Sequence, residues 1–239
     1  MAGLGSASRD FARIHMASHP SILPPTPPDA SSIPQTITKN QGETMTEASS
    51  IPLLDHELAD DELAWVKGVY ADFAAARAGF AGREQEFNPK EALREVLGRK
   101  EYALPTPMDL SGDGPWRGGR NRHNRLVSGV FLKKVELHRH ARSRTDQFPM
   151  YVVGEADGFS VGANNQPILA PINGGDHCHS SPDAPHAFVP KVGAPIGNDW
   201  EIVFIAVTPR NLKEDTQKVT DATRDLYQRA TGYEAPIGL

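Results

Sequence analysis

Two short clusters of histidines carry the residue types in this sequence that are best suited to chemistry. The first is His138-Arg139-His140, and the second is Asp176-His177-Cys178-His179 followed by His186. Side chains of an extended strand alternate between its two faces, so His138 and His140 are expected on one face. Two neighbouring imidazoles are suited to bind a transition metal ion, and the second cluster offers candidates for a third ligand.

The segment that contains both clusters is expected to be a β domain spanning residues 104–209. Short runs of β-branched and aromatic residues between Leu126 and Thr208 are separated by turn residues, a pattern typical of a sandwich or barrel. Leu126–Arg139 is predicted to be one of these strands. Residues 104–125, which are rich in Gly, Pro and Arg, are expected to form a loop that precedes it.

Helical patterns flank the β domain. Apolar residues recur at spacings of three and four after Asp55, so residues 55–103 are predicted to be a helical flank. A C-terminal helix is predicted over residues 211–231. Residues 1–50, rich in Ser, Pro and Thr, are expected to be a disordered N-terminal extension. Because Met45 opens an ordinary protein start, translation could begin at Met45 rather than at Met1.

Composition excludes several classes of function. The chain has 239 residues and a net charge of -5, which disfavours nucleic acid as a partner. No stretch approaches the roughly 20 apolar residues of a membrane helix, so no membrane association is expected. The single cysteine, Cys178, allows no internal disulfide and suits the cytoplasm. Its sequence context favours a packed or metal-neighbouring thiol over a nucleophile.

The strands and histidines together resemble the cupin superfamily, a small jelly-roll β-barrel with two motifs. The first motif is His-x-His, a Glu a few residues on, and a Gly further along; here it reads His138-Arg139-His140, Gln147 and Gly154. The second motif matches in its spacing from Gly175 to His186. The resemblance implies a mainly β chain with a single cupin barrel, flanking helices and metal ligands His138, His140 and His186.

The sequence departs from the family pattern at the fourth ligand. Gln147 stands where the family has Glu, and the gap from His140 is longer than usual. Gln147 is therefore either a weak fourth ligand or a group that hydrogen-bonds near the metal. Asp146 could bind instead if the loop shifts, which would give a site with a carboxylate.

Other polar side chains are candidates for supporting roles, and each has a structural alternative. The candidate acid–base or pocket groups are His177, His179, Tyr151 and Glu136. His177 and His179 share one strand face, so they line the pocket if that face points inward and are surface residues if it points outward. Arg120 and Arg122 could bind an anionic substrate, although a solvated basic loop is the simpler explanation of both.

Three neutral imidazoles with open positions suit Fe(II), and also Mn, Ni, Cu or Zn. The resemblance implies an oxidoreductase, an Fe(II) dioxygenase that uses O2 on a small organic substrate, with aromatic and enolic compounds as candidates. A metal-dependent lyase or isomerase that abstracts a proton is the first alternative, and a non-enzymatic small-molecule-binding cupin is the second. By the same resemblance, the protein could form a homodimer.

Overall fold

The polypeptide forms mainly strands, with helices on either side of them. The computed structural model describes residues 56–162, 164–192, 200–209 and 215–235, together with the backbone of Ser8–Asp10. The helices are α1 (Asp60–Ala78), α2 (Pro89–Leu97) and α3 (Asp221–Thr231), with short 3₁₀ turns at Glu84–Glu86 and Lys100–Tyr102. The strands are β1 (Ser8–Asp10), β2 (Trp116–Arg120), β3 (Leu126–Leu132), β4 (Arg139–His140), β5 (Thr145–Val153), β6 (Ala156–Val161), β7 (Pro167–Ile172), β8 (His177–Ser180), β9 (His186–Pro190), β10 (Glu201–Thr208) and β11 (Thr216–Gln217).

The strands pair into two main sheets. The larger has the order β1-β8-β5-β10-β3-β2, and the smaller has the order β7-β6-β9. An isolated antiparallel bridge between His138 and His186 places the segment just before β4 beside β9. β4 itself pairs with β11. The mainly β fold class is therefore confirmed. Among the described residues, however, no strand pairing joins the two sheets into a closed barrel.

Different apolar clusters cover the two faces of the large sheet. Val203 and Ile205 of β10 pack with helices α1 and α2 on one face, which we call the helix-covered face. Phe204 and Ala206 belong to a second cluster with Phe188 of β9. The rings of Phe204 and Phe188 are 5.3 Å apart, so the two sheets pack against each other through what we call the inner face.

Helix α3 covers the outer side of the small sheet. Tyr227 packs there against Phe159 of β6, with the ring centroids 5.1 Å apart. The helix begins at Asp221 because the Thr220 side chain caps it by accepting a hydrogen bond from Thr223 N. This start differs from the predicted Asn211, since Thr216–Gln217 instead pairs as a strand with β4.

Two other predicted boundaries also differ from the structure. The expected loop over residues 104–125 contains β2, in which Trp116 is buried and pairs with β3. The long strand predicted over Leu126–Arg139 is divided, because β3 ends at Leu132 and β4 begins at Arg139. Apart from Ser8–Asp10, the predicted N-terminal extension lies outside the described residues. No described helix is both long and apolar enough to span a membrane.

Tyr227 makes the stability of the fold sensitive to alkaline pH. Burial raises the pKa of its phenol to about 12. Above the ordinary tyrosine pKa of about 10, the unfolded chain loses this proton while the folded chain keeps it. The free energy of unfolding should therefore fall between about pH 10 and about pH 12, by up to about 3 kcal/mol from this residue. Urea unfolding of wild type and Tyr227→Phe should show a smaller alkaline loss in the variant; equal losses would contradict the prediction.

Candidate metal centre

Three histidines from two paired segments converge on one point of the structure. His138 and His140 lie on the chain segment of β4, and the bridge to β9 sets His186 beside them. The ring centroids are 4.9 Å apart for His138 and His140, 4.6 Å for His138 and His186, and 5.2 Å for His140 and His186. One nitrogen of each ring lies within 4.8 Å of the corresponding nitrogens of the other two. This spacing suits three ligands of a single ion.

Hydrogen bonds hold each imidazole through its Nδ1 atom. His138 Nδ1 lies 2.8 Å from the carbonyl oxygen of Glu136, and His186 Nδ1 lies 2.9 Å from that of Ala184. A carbonyl oxygen only accepts, so both Nδ1 atoms carry the proton and each neutral ring keeps a lone pair on Nε2. His140 Nδ1 lies 3.4 Å from the Thr216 hydroxyl of β11. Such tethers are the usual supports of metal-binding histidines.

Two of the three Nε2 atoms are buried without a hydrogen-bond partner among the described residues. They are the Nε2 atoms of His140 and His186. Leaving a buried polar atom without a partner costs about 1–3 kcal/mol, so two such imidazole nitrogens are unfavourable unless a bound group contacts them. Burial lowers the pKa of His140 to about 3, with a further contribution from His138, and it lowers the pKa of His186 well below its ordinary value. The rings are thus neutral ligands near neutral pH, and a divalent transition metal ion fits them.

The three histidines face the interior between the sheets. Leu137 and Ala187 pack in the cluster beneath α3, on the outer side of the small sheet. Because side chains alternate, their neighbours His138 and His186 point the opposite way, and the same alternation directs His140 inward. Phe188, two residues after His186, packs in the inner core.

Gln147 faces the same interior from the large sheet. It lies opposite Cys178 of β8 and Ala206 of β10. Both of these residues pack in the inner core, and residues directly opposite each other on neighbouring strands share a face. The amide of Gln147 is therefore directed inward. Whether it binds a metal ion stays a prediction.

A second cluster forms on the helix-covered face instead. Asp146, His177 and His179 also bring ligand atoms within 4.8 Å of one another. Asp146 lies opposite His179 and Val207, and Val207 packs beneath the helices. The His177 ring stacks on Phe148 at 4.4 Å, in the same apolar cluster. The sheet therefore separates this group from the three histidines.

The carboxylate of Asp146 is already engaged within the protein. Arg144 donates to it through Nε and Nη2 over 3.1–3.3 Å, and His177 Nε2 lies 2.9 Å from Oδ1. Burial raises the pKa of Asp146, but the hydrogen bonds from His177 and Arg144 outweigh it and lower the pKa overall. We interpret the group as a buried charge network, in which the Arg144 guanidinium contacts the Asp146 carboxylate where a metal ion would otherwise bind it.

These positions correct two expectations. Asp146 does not join the three histidines as an alternative ligand, since it lies on the opposite face of the large sheet. His177 and His179 do not line the inner pocket, because Cys178 between them is the residue that faces inward. The lone thiol is a buried core residue, 1% exposed, in agreement with a packing role.

The remaining candidate residues are distributed over the molecule. Tyr151 lies on the helix-covered side, in a cavity of about 270 Å³, with Arg77 4.7 Å above its ring. Arg120 belongs to β2 and donates to the carbonyl oxygen of Asn124. Arg122 lines a different cavity, of about 230 Å³, together with Asp61, Glu62 and Glu101. Those acidic neighbours disfavour binding of an anion there.

Glu136 supports the centre differently from what was expected. Its backbone carbonyl, rather than its carboxylate, holds the His138 ring. The carboxylate is near enough to oppose electrostatically the lowering of the His138 pKa that burial causes. Thr216 was not foreseen as a support of His140, since no residue pattern links a threonine in a polar segment to a histidine 76 positions earlier.

No family model matches the chain, and no curated protein matches it. Solved structures do match, with identities of 15–17% for the three described next.

The matching structures include a protein described as cupin-like. A single-residue variant of Bacillus subtilis oxalate decarboxylase has a TM-score of 0.35 at 16% identity, over 54% of this chain and 35% of that one. Capsular polysaccharide assembling protein CapF from Staphylococcus aureus has a TM-score of 0.35 at 15% identity, over 54% of this chain and 38% of that one. A cupin-like protein from Thermotoga maritima has a TM-score of 0.30 at 17% identity, over 45% of this chain and 74% of that one.

The matches are partial and low in similarity. The chain covers only 28% of the length of the first oxalate decarboxylase structures that it matches. The B. subtilis oxalate decarboxylase has Mn(II) centres, which is a property of that protein.

Proposed function

We propose that this protein, a member of the cupin superfamily, is a mononuclear metal-dependent dioxygenase acting on a small organic substrate. The observation that carries the proposal is the convergence of three imidazoles, from His138, His140 and His186, on the interior between the sheets. The Nδ1 atoms are tethered, so the rings are oriented before any ion binds.

The ligand set suits this chemistry because it is neutral. Three imidazoles add no negative charge, so a dipositive ion would keep its full charge for an oxygen-donor substrate. An Fe(II) ion held there would supply redox chemistry with O2 and open positions for a chelating substrate. The histidines hold and orient this centre, and the inner core around Phe188 and Phe204 excludes water from one side.

The positions of the candidate bases favour an oxygenase over a lyase or isomerase. A lyase needs a base that reaches a carbon-bound proton of the substrate. His177, His179 and Tyr151, three candidates for that role, lie on the helix-covered face, away from the three histidines. Glu136, next to His138, is the remaining candidate near the centre.

Oxygen consumption tests the proposal. Protein loaded anaerobically with Fe(II) should consume O2 with at least one member of a panel of catechols, hydroquinones and diketones. Glu136→Gln should retain most of that rate, because the oxygenase needs no carboxylate base there. Loading with Mn(II), Ni(II), Cu(II) or Zn(II) in parallel identifies the active metal.

Two outcomes would contradict the oxygenase. One is uptake at background level across the panel by protein whose iron content is about one ion per chain. The other is conversion of a panel compound without O2 uptake, with the activity lost in Glu136→Gln, which would indicate a lyase or isomerase using that carboxylate as base.

A further inference from the structure

We infer that Thr145 and Gln147 form a hydrogen-bonding wall, opposite the three histidines, that binds an anionic oxygen chelator as substrate. The inference deepens the proposed function and rests on it. It assigns a role to Thr145, which no motif of the sequence singles out, and it restricts the substrate to compounds that bring negative charge on oxygen to the metal centre.

The register of the large sheet directs Thr145 inward. Gln147 shares a face with Cys178 of the inner core. Thr145 is two residues before Gln147 on β5, so it lies on that same face. It lies opposite Ser180 of β8, which is two residues after Cys178. Ser128 of β3 joins the same face, because it lies opposite Ala206.

The packing of the two sheets places this polar stretch at the same end as the histidines. β5 ends at Val153 and continues through two residues into Ala156 of β6, which lies opposite Pro190 at the end of β9. Ile202 of β10 lies opposite Val152 and is therefore at this end of the inner face. Phe204, two residues further along β10, contacts Phe188, two residues earlier on β9. Two residues further along β10 is Ala206, which lies opposite Gln147. Two residues earlier on β9 than Phe188 is His186. The stretch Thr145–Gln147 therefore faces the metal centre across the interior.

The wall is polar, buried and uncharged. Ser128 is 2% exposed, Thr145 0%, Gln147 8% and Ser180 4%. The Thr145 hydroxyl makes no hydrogen bond among the described residues, as is also true of His140 Nε2. A buried hydroxyl without a partner, at the same end as the unpartnered imidazole nitrogens, indicates a bound group that accepts or donates there.

The charge balance indicates the class of that group. The charged residues of this part of β5 and its approach, Arg144 and Asp146, neutralise each other on the helix-covered face. At this end of the inner face, strands β3, β5, β8 and β10 carry hydroxyl, thiol and amide groups and no carboxylate. Glu136, near His138, supplies one negative charge at most, so a dipositive ion bound by neutral histidines is balanced best by a ligand that itself brings negative charge. The Thr145 hydroxyl and the Gln147 amide then donate to the oxygens of that anion.

Binding of oxalate to Co(II)-loaded protein tests the inference without reference to turnover. Oxalate is a small dianionic oxygen chelator, imidazole is a neutral nitrogen ligand, and visible absorption of Co(II) reports both. Thr145→Val and Gln147→Leu should each weaken oxalate binding about tenfold, the effect of losing one hydrogen bond to a charged ligand. Affinity for imidazole should change less than about twofold, since imidazole presents no anionic oxygen to the wall.

Matched variants separate the hydroxyl from its surroundings. Thr145→Ser keeps the hydroxyl and should return oxalate affinity to near wild type, whereas Tyr151→Phe, on the opposite face of the same strand, should leave it unchanged. If Thr145→Val fails to fold by circular dichroism, Gln147→Leu and Thr145→Ser still test the wall.

The outcomes distinguish this inference from the proposed function. Unchanged oxalate affinity in Thr145→Val and Gln147→Leu, with about one Co(II) per chain, would overturn the inference and leave the metal site intact. Loss of Co(II) from Gln147→Leu alone would make Gln147 a metal ligand and overturn its role in the wall. Wild-type protein that binds no Co(II) would overturn the proposed function and the inference with it.

Discussion

Replacing His140 by alanine should lower the bound metal from about one ion per chain to an amount near the detection limit, after loading and gel filtration. The substitution removes a buried ligand whose Nε2 has no other partner among the described residues. Two imidazoles would remain, and we expect an affinity at least ~100-fold lower, beyond the roughly 10–100-fold typical of losing a group that only orients a ligand. Elemental analysis of the loaded protein measures the effect.

His123→Ala is the matched control for this substitution. His123 is also a histidine, but it lies on the surface, with Nε2 2.8 Å from Asp61. This variant should keep about one ion per chain. A chelator should lower the melting temperature of wild type and His123→Ala, because metal binds the folded state alone, and should not affect His140→Ala. Full metal content in His140→Ala would exclude His140 as a ligand.

The sequence is most informative about the centre where one residue type and one spacing suffice. Alternation along a strand predicts that His138 and His140 share a face, and the structure has their rings 4.9 Å apart. The tethers of the rings are a different matter. The groups that hold His138 and His186 are backbone carbonyls of Glu136 and Ala184, and every residue has a carbonyl. The path of the backbone in the folded protein therefore determines which carbonyl accepts a hydrogen bond from each imidazole.

The choice between Asp146 and Gln147 shows where the sequence stops being decisive. The two residues are adjacent, so a shift of one position in strand register exchanges the face that each occupies. Pairing with β8 and β10, strands that come much later in the chain, fixes the register and sends Asp146 to the helix-covered face. The same long-range pairing places Cys178, rather than its histidine neighbours, in the inner core.

Local patterns predicted helices α1 and α2 better than the strands for the same physical reason. α1 and α2 follow from their own apolar periodicity and from the Asn88 cap, which accepts hydrogen bonds from Lys90 N and Glu91 N. β2 lies in a glycine-rich segment and forms because Trp116 is buried against β3. Such a strand depends on a partner rather than on its own sequence.

Asp146→Ala should destabilise the fold strongly while leaving the metal content unchanged. The substitution removes the buried partner of Arg144, whose side chain is only 9% exposed, and leaves it only the exposed Glu57 carboxylate 3.9 Å away. Breaking one side of a buried ion pair costs about 3–5 kcal/mol, and we expect a loss of that size in the free energy of unfolding. Urea denaturation measures the loss, and elemental analysis should still give about one ion per chain.

The double variant Arg144→Met/Asp146→Leu separates the loss of the ion pair from the burial of a lone charge. Apolar residues of similar size remove both charges together, so most of the stability lost in Asp146→Ala should return. If the network were instead a metal site, Asp146→Ala would lower the metal content and the double variant would not restore it. A stable Asp146→Ala protein with reduced metal would thus place the functional carboxylate on the helix-covered face, and it would require the two clusters to exchange the roles assigned to them.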